Sequence, residues 1–457
     1  AGTGKAILGI SPHEKEIIVT AVTADGSPVQ VEGCTVTEFP SGEETVLTAT
    51  GTKVILKGAI TELDCGGNRL TELNVQGLTA LQKLFCDDNL LTSLDVSDVT
   101  ALQSLSCGEN LLTSLDVSGL TGLRELYCDR NHLSSLDVQS LTALQDLFCN
   151  ANKLTSLNVQ DLKVLQRLHC NSNRLTSLDV RDLSALQELD CVGNELTSLD
   201  VHGVTALWEL ECSKNMLTLL DVQSLTSLSK LDCSANQLAS LDVRNLAALE
   251  KLDCRDNKLT SLNVRGLNTL QKLYCSENEL TSLEIQGLKT LQKLNCYKNK
   301  LTSLNVQGLT ALQWLNCGYN ELTTLNLKGL HALRDLECFN NNLAELDVQD
   351  INTLQRLNCY HNKLSTLELS TLHGLQELCC YDNLFNEKTL IRILTALPDR
   401  KQKKEGRALI YGKKNDPREG TITDFSSSAE LKAAFEAAKA KNWRFYKRDT
   451  VGNEEEV

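Results

Sequence analysis

Cysteine recurs from residue 65 through 86, 107 and onward to 380 in unbroken 21-residue register, sixteen times in all. Three residues after each cysteine stands an asparagine, from Asn68 to Asn383. Two residues before each stands a leucine, from Leu63 to Leu378. The unit reads LxxLxCxxNxLTSLDVxxLTA. A unit this short cannot bury an apolar face by itself. Stacked copies can, because neighbouring turns share one core.

The local pattern says how the copies stack. In "KLFCD" (83–87) the residues alternate, with Leu84 and Cys86 inward and Lys83, Phe85 and Asp87 outward, as in a short strand. Asn89 falls where the chain leaves that strand, and its amide can satisfy backbone groups that stacking would otherwise strand. "LTSLDV" returns along the other side with Leu and Val inward. This is the leucine-rich repeat pattern with cysteine in place of one leucine. The expected fold is an α/β-type solenoid with a parallel β-sheet on the concave face. Twenty-one residues leave room for extended or 3₁₀ structure on the convex side, but not for a full α-helix.

The cysteines read as small apolar side chains stacked on their copies. Equivalent Cβ atoms on in-register parallel strands sit about 4.8 Å apart with parallel vectors, whereas a disulfide needs about 3.8 Å and converging ones. The column is therefore expected to hold reduced thiols. A metal or redox role lacks a recurring CxxC, a Cys/His cluster or carboxylate partners. Cys34 and Cys379 stand outside the register, near opposite ends.

Residues 1–60 read as a β-rich N-terminal cap, from "KAILGI", "EIIVTAV", "PVQVEGCTV", "TVLTA" and "KVILKGAI" with turn signals "DGSP" and "PSGEE" between them. The array is expected over 61–385 and an α/β C-terminal capping region over 386–457. In that last region "NEKTLIRILTALP" predicts a helix capped by Asn386, with Leu390, Ile391, Leu394 and Leu397 inward and Pro398 closing it. "RKQKKEGR" reads as a solvated basic connector and "RALIYG" as a strand. "SSSAELKAAFEAAKAKN" reads as a helix with a capping box from Ser427 to Glu430, and "WRFYKRD" as a final strand extending the parallel sheet. The tail "GNEEEV" reads as loose.

Net charge is −14 and the pI about 5.1, which argues against phosphate-backbone binding and anionic membrane surfaces. No stretch of about 18 apolar residues is present to span a bilayer. The opening "AGTGKAILGI" has no initiator Met or signal-peptide core, as in a mature or trimmed form. GxSxG, HExxH and phosphate-binding glycine loops are missing from the sequence, so an enzyme is not expected, and no cofactor is implied.

Over residues 63–383 the LxxLxCxxNxLTSLDV unit resembles the internalin-J-like bacterial surface proteins, whose 21-residue leucine-rich repeats carry a cysteine column. The resemblance implies a secreted or surface-attached protein of adhesion, aggregation or virulence. This chain departs from the pattern by lacking an LPxTG-type wall anchor and the helical cap common in internalins.

Binding information must then lie at the variable positions. Phe85, Tyr127, Phe148 and His169 precede the cysteine in their turns, with Ser106 breaking the row. Tyr297, Phe339, Tyr360 and Tyr381 follow it, with Trp314, Tyr319 and His361 close by. Rows of exposed rings are typical interface anchors. The competing reading is that they merely pack on each other along the sheet. Asp190, Glu211, Asp232 and Asp253 form an acidic stripe beside Lys230, Lys251, Lys272 and Lys293, expected to be a mutually neutralising solvated face. A calcium site on Asp190, Asp232 and Asp253 lacks a converging loop of oxygen ligands. The expected partners are a host or bacterial surface protein, or a glycan, gripped by the ring surface. The alternatives are other copies of the chain, joined in aggregation or biofilm, or a protein blocked by an inhibitor-like scaffold.

Overall fold

The computed structural model describes residues 4–410, 425–448 and 451–457. The chain forms two compact units, Ala1–Leu228 and Ser229–Val457, each a stretch of leucine-rich repeat solenoid with its own end structure.

The first unit opens with six cap strands, β1 (Lys5–Gly9), β2 (Glu16–Thr23), β3 (Val29–Glu32), β4 (Glu38–Phe39), β5 (Thr45–Thr48) and β6 (Lys53–Lys57). The first repeat adds β7 (Ile60–Asp64) and β8 (Glu72–Asn74). All the cap pairings are antiparallel. β1 lies between β6 and β8, β3 between β4 and β6, and β2 between β5 and β7. The alternation of β2 buries Ile17, Val19 and Ala21. β2 also replaces a preceding turn: the Ile18 N–H donates to Asn68 Oδ1, and Asn68 Nδ2 donates to the Ile18 carbonyl, both at 2.8 Å. The cap thus satisfies the first asparagine of the column as a repeat would.

From β7 the repeat strands pair in parallel, each with the next, Leu63 opposite Leu84, Leu84 opposite Leu105, and so on to Leu210 in Glu209–Glu211. Inward Leu84 and Cys86 are fully buried, as are their equivalents. Each buried asparagine ties two turns together. Asn131 Nδ2 donates to Cys107 O (3.0 Å) and Cys128 O (3.1 Å), while its Oδ1 accepts the Leu112 N–H at 3.0 Å.

Two local devices recur that the sequence pattern does not announce. The residue two after every column cysteine has φ between 50° and 69°, and glycine holds that place only at Gly67 and Gly193. Left-handed backbone costs an ordinary residue roughly 1–2 kcal/mol. Here the N–H at that position donates into the next turn, as Asp88 does to Gly108 O (3.0 Å), so stacking imposes the conformation whatever the side chain. The Asp or Asn of "LDV" and "LNV" makes the second device. Asp95 Oδ1 accepts the Ser97 N–H at 3.0 Å, and Asn158 Oδ1 accepts that of Gln160 at 3.1 Å. The return side then runs through successive tight turns, such as Val99 N to Val96 O and Leu102 N to Val99 O, without a helix.

In the second unit the parallel strands run from Lys230–Asp232 to Glu377–Cys379 and continue through Gly406–Leu409 and Trp443–Arg448. On its return side Ser261–Asn263 pairs in parallel with Ser282–Glu284. Two helices close this end, α1 (Glu387–Ala396) and α2 (Ala429–Ala440), the only helices among the described residues. Asn386 caps α1 by accepting the Thr389 N–H at 2.9 Å. Ile393, rather than Ile391, joins Leu390 and Leu394 in its buried face. Phe425, Phe435 and Phe445 pack together, with Phe425 and Phe435 stacked at 4.4 Å.

Three expectations for this end need correction. Ser428, not Ser427, caps α2, because its side chain reaches the Leu431 N–H at 3.1 Å. The basic connector is not wholly solvated: Arg400 is buried and donates to Lys404 O (2.9 Å) and Leu375 O (3.2 Å). The acidic tail is not loose. Glu454–Glu456 forms a strand antiparallel to Trp443–Arg448. The strand expected at "RALIYG" ends at Leu409, and Tyr411 and Gly412 lie outside the described residues.

Candidate binding face

The two groups of rings hold different positions of the repeat unit. In the first unit they stand on the strands. Tyr127 meets Phe148 edge-on at 4.9 Å, and Phe148 stacks on His169 at 4.0 Å. Asp146 holds this row in place: Arg167 grips its carboxylate through Nε (3.0 Å) and Nη2 (2.7 Å), and the Tyr127 hydroxyl donates to it at 3.0 Å. Burial and the neighbouring carboxylate push the Tyr127 hydroxyl up to about 12, so it stays a neutral donor. The Arg167 guanidinium lies 5.0 Å from the Phe148 ring centre, and His169 faces Glu188 at 3.4 Å. Phe85 stands apart, separated from Tyr127 by Ser106 in strand register.

In the second unit the rings sit on the bend that follows the strand. Tyr297, Tyr319 and Phe339 form a triangle with centres 5.6 to 6.0 Å apart. Phe339 stacks on Tyr360 at 4.8 Å, and Tyr360 on Tyr381 at 4.7 Å, with the rings nearly parallel in both pairs. Exposure divides the group. Phe339 and Tyr381 are only 8% and 7% exposed, whereas Tyr319 is 49% exposed. His361 is bonded through Nδ1 to Asp382. Trp314 belongs elsewhere, on the strand row.

Phe339 is buried because the preceding turn has glycine at the equivalent place. A Cβ on Gly318 would lie 2.7 Å from Phe339 Cζ. Gly318→Ala should therefore expel the ring from its stack with Tyr360 and cost about 1–3 kcal/mol. An unchanged urea midpoint and near-ultraviolet dichroism would refute that packing.

Several stripe carboxylates bond groups outside the two stripes. In the second unit Asp253 is buried, and its partner is Arg255, through Nε (2.9 Å) and Nη2 (2.7 Å), rather than a lysine. Asp232 bonds Ser234 through the backbone N–H (3.0 Å) and hydroxyl (2.7 Å). In the first unit Asp190 accepts the Val192 N–H at 3.1 Å. These aspartates shape the bend after the strand. Asn295 and Asn316 accept the Tyr297 and Gly318 N–H groups in the same way. Among the described residues no histidine, cysteine or carboxylate cluster is arranged to hold a metal.

Tyr274 escaped the sequence reading. It is a lone ring in its row, with Arg255 5.5 Å and Lys251 5.9 Å from its centre. A second missed feature is a pocket of about 130 Å³ at the last repeat, lined by Arg356, Glu377, Cys379, Arg407 and Arg448 among others. Arginines from beyond the repeats gave no sequence signal for it.

No protein-family model matches the chain, and no curated protein sequence does. Among solved structures it is similar to the functional domain of InlJ from Listeria monocytogenes, described as including a cysteine ladder. The two are 33% identical over 73% of this chain and 76% of that one, with a TM-score of 0.67. A leucine-rich repeat protein of Leptospira interrogans is 30% identical over 70% and 83%, with a TM-score of 0.57. YopM from Yersinia pestis, 23% identical over 62% and 84% with a TM-score of 0.52, shares the fold. With the 21-residue cysteine column, the buried asparagine column and the parallel sheet in place, the chain belongs to the internalin-J-like family of cysteine-ladder leucine-rich repeat proteins.

Proposed function

We propose that this chain is a non-enzymatic binding scaffold, secreted or held at a bacterial surface, that engages a protein partner in adhesion or virulence through the ring row of its second unit. The observation that carries this reading is the division of labour among the rings. Phe339 and Tyr381 are buried and build a stacked base, which leaves Tyr319 standing on it with half its surface in water. Mere mutual packing accounts for the base but not for Tyr319. A large ring held rigidly at a strained backbone position, φ 50°, is organised before a partner arrives.

Tyr319→Gly separates binding from folding. Glycine suits the left-handed backbone, so stability should change by no more than about 1 kcal/mol. Removing a ring anchor should weaken attachment to host-cell surfaces by at least about tenfold. Unchanged attachment by a folded Tyr319→Gly protein would sink the proposal. Sedimentation velocity on the same pair addresses the alternative, in which the row joins copies for aggregation or biofilm. Oligomers formed by the wild type and lost in the variant would favour that reading.

A further inference from the structure

At the end of the second unit, Tyr446, Lys447 and Arg448 lie opposite Glu456, Glu455 and Glu454, and the Val457 N–H donates to Phe445 O at 2.8 Å. The Glu454 carboxylate is shared between two guanidinium groups, those of Arg407 and Arg448. Aromatic rings position both arginines, Arg407 at 4.8 Å from the Tyr446 ring centre and Arg448 at 5.9 Å from that of Tyr381. A third arginine, Arg444, reaches Glu456 at 4.0 Å. The tail strand buries no apolar side chain: Glu454, Glu455 and Glu456 are all exposed. Its attachment includes backbone pairing and carboxylate–guanidinium contacts, which an outside strand of the same chemistry can reproduce.

We propose that the strip Tyr446–Arg448, with Arg407 beside it, is a docking site for an extended acidic segment of a partner protein, and that Glu454–Glu456 is a resident stand-in that must leave first. Charge complementarity selects the occupant. Arg407 and Arg448 form a clamp for one carboxylate, and Arg444, four residues before Arg448 on the facing strand and paired with Glu405 at 2.7 Å, adds a cation within 4.0 Å of Glu456. The tethered tail competes at an effective concentration on the order of millimolar, so it holds back weak acidic segments. This site adjoins the ring row where Arg448 meets Tyr381, but its clamp is built from Arg407 and Arg448 rather than from rings.

The test uses the fluorescein-labelled hexapeptide GNEEEV as probe and the full chain in three forms: wild type, Glu454→Gln/Glu456→Gln, and that variant with Arg407→Gln/Arg448→Gln added. At low salt the tail variant should bind the probe at least tenfold tighter than wild type. The arginine substitutions should remove that binding, and the uncharged probe GNQQQV should not bind. Equal binding to wild type and tail variant, or binding indifferent to the arginines, would overturn the proposal. Should the Gln pair not fold, Arg407→Lys/Arg448→Lys keeps charge but loses the two-pronged grip, and a severalfold loss is expected instead. A concentration-dependent wild-type dimer abolished by Arg448→Gln would assign the strand to a second copy and overturn the partner reading.

Discussion

Raising the pH from 8 to 10.5 under reducing conditions should unfold this protein abruptly. Burial holds the column thiols above their ordinary value, Cys107 and Cys149 up to about 12 and Cys65, Cys86, Cys128, Cys170 and Cys191 likewise upward. An unfolded thiol titrates near 9. Because the folded pKa is raised, the stabilising contribution of each thiol is complete below about 9. It is then lost as the pH climbs toward the folded value, at about 1.4 kcal/mol per pH unit per thiol. With seven such thiols, the first unit should lose stability at a slope approaching roughly 10 kcal/mol per pH unit. That is comparable to the ~5–15 kcal/mol that holds a typical domain together. Far-ultraviolet dichroism should collapse about one unit above 9, and thiolate absorption should appear in the same step. Thiolate growing in gradually while the dichroism stays native would contradict the buried column. Replacing Cys149 by Val should flatten the slope by one thiol's share.

The second large effect concerns the asparagines. Asn131→Ala should cost about 1–3 kcal/mol, because it leaves the Leu112 N–H buried without its acceptor and takes one of two asparagine donors from each of Cys107 O and Cys128 O. Urea unfolding measures the loss, and amide exchange at Leu112 should accelerate with it. Asn131→Asp keeps an acceptor for Leu112 but aims a carboxylate at two carbonyl oxygens. It should be no better than alanine at neutral pH and should recover on acidification, since protonation restores one donor. A loss below about 1 kcal/mol for Asn131→Ala would mean that water or backbone relaxation replaces these bonds.

The solenoid was legible because periodicity needs no long-range inference: a leucine, a cysteine and an asparagine held in phase specify strand, core and bend together. Asn68 was readable as a column member, but not its partner Ile18, because an antiparallel cap strand 50 residues earlier leaves no periodic mark. The left-handed bends were hidden for a related reason. Asp88, Arg130, Ala151 and Tyr319 share that conformation, yet no residue preference betrays it, since hydrogen bonds to the next turn impose it. Side-chain exposure was the least legible property. Phe339 and Tyr319 both fall at variable positions after the column cysteine, but Gly318 leaves a space that swallows the first ring, while the second stands on the left-handed bend. Arg407, Arg448 and Glu454 lie outside the repeat, and only the folded end brings them together.

The asparagine column has a genetic corollary. Asn131 connects Cys107, Cys128 and Leu112, and Asn152 connects Cys128, Cys149 and Leu133 through the same atoms. Excising residues 108–128 would put Asn131 in the place of Asn110, against Cys86 and Leu91, and Asn152 against Cys107, with every donor and acceptor matched. Unequal crossing-over between near-identical coding repeats can therefore lengthen or shorten the array by whole turns. A gain or loss out of step with 21 would flip side chains between core and water. Copy number is the dimension in which such a gene can vary without redesigning its protein.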